Sequence, residues 1–340
     1  MGHWRMVCLI VFLSVVVLGP FGSSAFGQAK PVTLNYSTHM PAQHGLTLMA
    51  IEWGKEIDKR TQGKVKFTVL AGGTMMAADK CYDGVVKGIA DAGLAVPGFT
   101  RGRFPLSEVL DLPLGYKNAM AATRLANLYY GRFKPKEFGE TQVMYVHAHG
   151  PGVLHSKKAV NNLGDLKGLK IRCTGLSAKV AGAIGGAPVA MPVGDTYDAL
   201  SRGVVDASFA SMEAAQGWKW AEVTKYIIES GAIGYTTSFF VVMNKRVWNS
   251  FDPDTQKIIE KINEEWIAKE GNDWERIEKS GKEYAIKMGN KVTAFSKEED
   301  EKVAKAVRPL LDDYVANMKK IGLPGDEVLK YCLDELKKLQ

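Results

Sequence analysis

The stretch Leu163–Met212 constrains the fold of this chain most strongly, because short apolar strands alternate there with helical segments. One of these strands ends at Arg172, and a Thr-Gly turn then leads into a helix near Ser177. Open α/β sheets bind their ligands in the crevice at the carboxyl ends of the strands. An arginine in that place can hold a carboxylate through two parallel hydrogen bonds, and it stays charged at physiological pH. The sequence therefore predicts an anion-binding group at Arg172.

The same alternation of strands and helices occurs before this stretch. Residues 32–37 alternate between apolar and polar side chains, which predicts a strand, and a helix with Trp53 on its apolar face follows. The run Thr236–Met243 is rich in β-forming residues, and the chain after Pro253 is strongly helical. Strands that alternate with helices indicate an α/β fold with a mainly parallel sheet.

The first residues are typical of a secretory signal peptide. Arg5 precedes an apolar run over residues 6–18, and small residues follow over residues 23–27. This order predicts that residues 1–27 are a cleaved signal peptide. A permanent membrane anchor is the alternative, but the run is shorter than the roughly 20 residues that a spanning helix needs.

Length, charge and cysteine content narrow the class of protein further. About 310 residues remain after residue 27, which is more than one hydrophobic core usually serves, so two lobes are expected. The net charge of +7 is mixed with acidic residues along the helices, so we expect no nucleic-acid partner. Cys81, Cys173 and Cys332 are widely spaced, which predicts buried thiols without a metal or redox motif. We expect no cofactor.

Several motifs in this order resemble one known family. They are DLKGLKIR, which ends at Arg172, MPVGDTYDALSRGVVDA, which begins at Met191, VTKY at residues 223–226 and MNKRVW at residues 243–248. Their order and spacing are similar to those of the solute-binding proteins of tripartite ATP-independent periplasmic (TRAP) transporters. The resemblance implies a two-lobed periplasmic-binding-protein fold of the α/β class, with crossing strands and a long helix spanning both lobes. It also implies a periplasmic monomer that serves the small and large membrane subunits of a TRAP transporter, with Arg172 holding the carboxylate of an organic acid.

Under this resemblance the chain divides into two lobes built from separate segments. We expect residues 30–149 plus 236–277 to form lobe I and residues 150–235 plus 278–340 to form lobe II. The Gly-Pro-rich segment at residues 149–152 is the predicted hinge, because backbone freedom is concentrated there.

Residues at the positions that surround the ligand in the family predict the kind of acid. Where relatives that bind sugar acids carry polar groups, this chain mostly has small or apolar residues. The predicted ligand-binding residues are Arg172, His39, Thr174, Val96, Gly152, Phe209, Ala210, Ser211 and Met212. Some relatives have a second arginine at the position of Gly152, so its absence favours one carboxylate. We predict a monocarboxylate with a bulky apolar or aromatic group; the alternative is a C4-dicarboxylate or a simple 2-oxo acid.

Other interpretations of these residues remain open at this stage. Arg172 could form a structural salt bridge with Asp206. The histidines at positions 147, 149 and 155 could bind a metal, although hydrogen bonding is the favoured role. Trp218 and Trp220 are interpreted as packing residues. In place of a transport protein, the chain could be a secreted α/β enzyme that acts on a carboxylated substrate, although no nucleophile motif supports that, or a detached sensor with the same fold.

Overall fold

The computed structural model describes Met1 and residues 31–340, and the first of its two sheets contains the strands nearest the start of that segment. In spatial order its strands are β2 (Val65–Leu70), β1 (Val32–Thr38), β3 (Ala92–Ala95), β10 (Ser238–Asn244) and β4 (Thr141–Ala148). The first three run parallel, and β10 is antiparallel to both of its neighbours. The predicted run at Thr236–Met243 is therefore the strand that returns the chain to this sheet.

The second sheet is formed by the middle of the chain and one later strand. Its spatial order is β11 (Lys291–Ala294), β9 (Tyr226–Glu229), β5 (Val153–Ser156), β8 (Ala207–Ala210), β6 (Lys170–Cys173) and β7 (Ala187–Ala190). Strand β6 runs parallel to both β7 and β8. Parallel neighbours bring the carboxyl ends of these strands to one edge of the sheet, and that edge faces the first sheet's lobe.

Helices cover both sheets and bury apolar faces against them. The helices before β11 are α1 (Gly45–Arg60), α2 (Cys81–Lys87), α3 (Ala119–Phe133), α4 (Ser177–Ala183), α5 (Thr196–Ser201), α6 (Ala214–Gly217), α7 (Lys245–Ser250) and α8 (Pro253–Lys287). Those after it are α9 (Lys297–Val307), α10 (Pro309–Lys320) and α11 (Gly325–Leu339). The predicted apolar face of α1 is buried, and Trp53 on this face is fully buried.

Two extended segments near the hinge connect the lobes, and they are hydrogen-bonded to each other. The first leads from β4 to β5 through the predicted hinge, and the second leads from β9 to β10. The amide of Gly152 in the first donates to the carbonyl of Tyr235 in the second at 2.9 Å, and the hydroxyl of Thr236 donates to the carbonyl of His149. The crossings therefore form one paired element.

The long helix α8 spans both lobes as one uninterrupted helix. Asp252 caps it by accepting from the amide of Thr255, and Pro253 occupies its first turn, where no amide donor is needed. It packs on α1, α3 and β4 of one lobe and on α6 and β11 of the other. Gly271 and Gly281 allow these close approaches, because added Cβ atoms would lie 2.8 Å from the sulfur of Met120 and 2.5 Å from the carbonyl oxygen of Met212. No helix in the described segment is long and apolar enough to cross a membrane.

The C-terminal helices correct the predicted lobe boundary. We predicted that residues 278–340 belong to lobe II, but α11 packs on α3, and Leu311, Tyr314 and Cys332 join the core of lobe I. Helix α9 ends at Val307, and α10 begins at Pro309, where the chain leaves the second lobe. Amphipathic helices have an apolar face whatever their partner, so the pattern alone did not indicate which lobe would bury it.

Candidate functional site

Arg172 lies at the carboxyl end of β6 and projects into the space between the lobes. The residue is only 3% exposed. Its Nε and Nη2 atoms both donate to the carbonyl oxygen of Met191, each at 3.1 Å. The guanidinium carbon lies 5.9 Å from the ring centre of Trp220. These contacts fix the plane of the guanidinium and leave the Nη1 end, with one N–H of Nη2, to form a two-donor fork.

The alternative salt bridge to Asp206 does not form. Asp206 instead contacts the ammonium of Lys158 at 2.9 Å and accepts from the amide of Lys170. No carboxylate within residues 31–340 pairs with Arg172. Burial lowers the pKa of Arg172 to about 10, although nearby Tyr235, Cys173 and Asp195 raise it. The group is therefore a buried cation at neutral pH, and an unpaired buried charge is costly unless an anion joins it.

A cavity with about 540 Å³ of space between its atoms, including its open side, contains the free end of Arg172. Residues from both lobes line it, namely His39, Met40, His44, Val96, Phe99, His149, Arg172, Thr174, Ser177, Val193, Phe209, Ala210, Ser211, Glu213, Ala214, Trp218, Tyr235, Thr237, Phe239 and Trp274. The site is an interlobe cleft.

Seven of the nine predicted ligand-binding residues line this cavity, and Gly152 and Met212 do not. Those two lie together on a separate cavity on the hinge side. An added Cβ at Gly152 would lie 2.1 Å from a ring carbon of Tyr235, so the tyrosine fills the space into which a longer side chain would point. Met212 comes after β8 has ended at Ala210, so its side chain is not positioned by that strand. It packs with Val153 and Ile227 instead.

A polar pair that sequence reasoning missed connects the two lobes across the cleft. His44 caps α1 by accepting from the amide of Leu46 at Nδ1, and its Nε2 lies 3.0 Å from Oε1 of Glu213. Glu213 is 4% exposed and precedes α6 in the other lobe. Gly217 makes room for this carboxylate, because an added Cβ there would lie 1.6 Å from Oε1. A capping position before α1 was the only local signal for His44, and none identified Glu213.

Aromatic side chains form much of the remaining wall. The ring of Phe99 meets His39 edge-on at 5.2 Å, and Phe239 lies 5.4 Å from Trp274. Trp218 packs against two apolar clusters, as interpreted, and it also lines the cavity, where its ring centre lies 5.6 Å from that of His44. Trp220, which is fully buried, also packs as interpreted.

The three histidines near the hinge do not converge on a metal. His147 accepts from the indole of Trp274 at 2.9 Å, His155 contacts the carbonyl of Ser211 at 2.9 Å, and His149 accepts from the amide of Thr237 at 3.0 Å. Burial lowers the pKa of His147 to about 3 and those of the other two to about 4. Within the described residues, no group of three or more potential ligands could hold a metal ion.

The rims of the lobes touch next to Arg172. A Cβ added to Gly98 of lobe I would lie 3.0 Å from the Cα of Gly175 in lobe II, and the reverse substitution gives the same distance. Gly175 also has a φ of +55°, which favours glycine. Backbone therefore meets backbone at this point, and the cleft is closed.

Two lobes that meet around an unpaired cation at the end of a strand are typical of solute-binding proteins. The sequence model of one protein family, the bacterial extracellular solute-binding proteins of family 7, matches residues 36–317. The chain belongs to this family, and it is a TRAP-type solute-binding protein.

Similar proteins share the fold over nearly the whole chain. A TRAP solute-binding protein from Rhodoferax ferrireducens, crystallised with copurified benzoate, is 30% identical, with a TM-score of 0.86 over 91% of this chain and 98% of its own. A protein from Bordetella bronchiseptica with bound (R)- and (S)-mandelate is 25% identical, with a TM-score of 0.85 over 91% and 100%. The outer membrane transporter protein TsaT of Comamonas testosteroni is 25% identical over 97% of both chains.

Proposed function

We propose that this protein binds an aromatic monocarboxylate in the interlobe cleft and delivers it to the membrane subunits of a TRAP transporter. The observation that carries this proposal is the buried, unpaired guanidinium of Arg172 inside a cavity with aromatic walls. The free fork of Arg172 matches a carboxylate. A planar ring then has apolar surface to contact on the opposite wall, formed by Val96, Phe99 and Phe239.

Electrostatics favour one carboxylate over two. Arg172 is the only arginine or lysine that lines the cavity within the described residues, and the carboxylate of Glu213 lines it as well. A second carboxylate on the ligand would have no cation of its own and would lie in the same enclosed space as Glu213. Like charges in an enclosed site repel strongly, because water screens them poorly there. A C4-dicarboxylate is thus the weaker alternative.

The apolar walls supply the rest of the affinity. Burying about 150 Å² of aromatic surface at roughly 25 cal/mol per Å² stabilises the complex by about 4 kcal/mol. A hydroxylated sugar acid would gain less, and each hydroxyl left without a partner would cost about 1–3 kcal/mol. The solved relatives with benzoate and mandelate support this choice, since both ligands are aromatic monocarboxylates.

Binding proceeds by capture and closure in this proposal. Lobe II presents Arg172 in an open cleft, the carboxylate docks, and the rim at Gly98 then closes on Gly175. Closure contributes only the difference in the ligand's affinity for the two forms. The membrane subunits recognise the closed shape, and the protein acts as a monomer in the periplasm, where curated relatives are named as binding proteins. The predicted signal peptide at residues 1–27 lies outside the described segment.

A thermal-shift screen of carboxylates tests the proposal. The protein is first unfolded and refolded to remove any copurified acid, and then melted with benzoate, mandelate, pyruvate, succinate, malate and galacturonate. We expect the two aromatic acids to raise the melting temperature most. Stabilisation by succinate and malate without benzoate would contradict the aromatic class. Chromatography of the incubated acids serves as a control, because any product would favour the enzyme alternative.

A further inference from the structure

His39 is a half-buried residue whose ring nitrogens both lack hydrogen-bond partners. It follows β1 directly and lines the cavity from the wall of lobe I. Neither nitrogen contacts solvent or makes a hydrogen bond within residues 31–340. Phe99 packs edge-on against the ring at an interplanar angle of 87°. The imidazole is therefore held in place with its polar atoms unused.

The hinge histidines differ from His39 in this respect. His147, His149 and His155 are buried as well, but each makes at least one hydrogen bond to the protein. A buried polar group without a partner costs about 1–3 kcal/mol. A group of this kind aimed into a ligand cavity indicates that the ligand supplies the missing partner.

The protonation state of His39 determines which partner fits. Burial lowers its pKa to about 4, with further lowering by His44 and Arg172, while the carbonyl of Leu94 raises it. The neutral ring has one N–H donor and one acceptor nitrogen. The backbone carbonyl of Leu94 favours the tautomer whose N–H faces it, which leaves the other ring nitrogen as an acceptor without a partner. It requires a donor, and a carboxylate has none to offer.

We propose that His39 accepts a hydrogen bond from a hydroxyl group on the ligand's ring, so that the preferred ligands are hydroxylated aromatic monocarboxylates. This inference rests on the proposed function and deepens it. Arg172 in lobe II takes the carboxylate, and His39 in lobe I takes the hydroxyl. Thr174, whose hydroxyl also lacks a partner within the described residues, lies beside Arg172 and donates to the carboxylate. A ligand that contacts both lobes in this way stabilises the closed form specifically.

Matched ligands test the assignment in the unmodified protein. Calorimetry gives dissociation constants for benzoate, for 2-, 3- and 4-hydroxybenzoate, and for the three fluorobenzoates, which place a small group at each position without a donor. We expect one hydroxybenzoate to bind about tenfold more tightly than benzoate, the equivalent of one added hydrogen bond. The corresponding fluorobenzoate should show no such gain. The preferred isomer then reports the distance between the two subsites.

Variants assign the gain to the residue. In His39→Phe the ratio of hydroxybenzoate affinity to benzoate affinity should fall to about one, whatever happens to benzoate binding itself. Phe99→Leu, which alters the same wall without removing a nitrogen, should keep the ratio of the unmodified protein. His39→Leu serves the same purpose if the phenylalanine variant does not fold. A hydroxyl gain that persists without His39, or no gain in the unmodified protein, would overturn this inference alone. Failure of benzoate and every hydroxybenzoate to bind would instead overturn the proposed function.

Discussion

The two walls of the cleft recognise different parts of a ligand. The lobe II wall carries the fixed positive charge of the cleft, because Arg172 is held by the carbonyl of Met191 and lies at the end of a strand inside a sheet. The lobe I wall is largely aromatic, with Phe99 and Phe239 on it. A charge can be recognised by one wall while the cleft is open, whereas an apolar body gains contact only when the second wall arrives. The difference indicates that the carboxylate is bound first, in the open cleft, and that contact with the ring then stabilises the closed form.

Removing the charge of the lobe II wall should have the largest effect. Arg172→Ala leaves the carboxylate buried without a partner, so we expect benzoate binding to weaken by about 2–5 kcal/mol, or roughly thirty-fold to several thousand-fold. Calorimetry measures the dissociation constant. Arg202→Ala, which removes an exposed arginine from the same lobe, is the matched control. An unchanged dissociation constant in the Arg172 variant would remove this residue from the site.

Separating the walls should have the next largest effect. In Gly98→Val the new side chain meets the backbone of Gly175, whose Cα lies 3.0 Å from the added Cβ. Overpacking of this kind costs about 1–3 kcal/mol, which here opposes closure and should weaken benzoate binding about five-fold to 150-fold. Stopped-flow fluorescence should show faster release. Gly131→Val is the control, since nothing lies near an added Cβ there. Equal affinity in both variants would mean that this rim contact does not limit closure.

Thinning the lobe I wall should have a smaller effect that depends on the ligand. Phe99→Ala removes one aromatic surface, and we expect about 1–2 kcal/mol weaker binding of benzoate with little change for acetate, which has no ring. Competition assays against a fluorescent aromatic acid give both values. Leu128→Ala removes a large apolar side chain that is exposed and away from the cavity. Parallel losses for both ligands would show that Phe99 supports the fold rather than the ring.

The dependence on pH should be the smallest effect over the neutral range. Burial lowers the pKa of Arg172 to about 10 in the free protein, and a bound carboxylate favours the charged form. Affinity is therefore full below pH 10 and is lost as the pH rises through that value. Calorimetry between pH 7 and 9 should give dissociation constants within about twofold of each other. A steady decline across that range would indicate a different titrating group.

Local signals predicted the charged wall better than the aromatic one. Arg172 was predictable because a strand end in an α/β sheet places a side chain in the crevice, and the surrounding motifs agree with that placement. The positions of Glu213 and Trp218 in the cleft were not predictable. They flank the short helix α6, and neither this helix nor the approach of Glu213 to His44 has a signature in the sequence. Met212 was predicted from its position in the family, but it follows the end of β8 and lines a separate cavity.

Long-range packing set the other limit on prediction. The crossing strand β10 and the long helix α8 follow from β-forming and helical patterns that are strong along the chain. The return of α10 and α11 to lobe I depends on which core accepts their apolar faces, a choice made by distant residues such as those of α3. Likewise, Gly152 indicated a missing arginine, but the ring of Tyr235 that fills its space comes from the other crossing.

A crystal structure of the benzoate complex tests the central claim most directly. We predict that the two carboxylate oxygens lie about 2.8 Å from Nη1 and Nη2 of Arg172, with the ring against Phe99 and Phe239 and the rim at Gly98 closed. The carbonyl of Met191 should keep its hydrogen bonds to the guanidinium. Benzoate bound outside this cavity, or bound with its ring at Arg172 and its carboxylate elsewhere, would contradict the account.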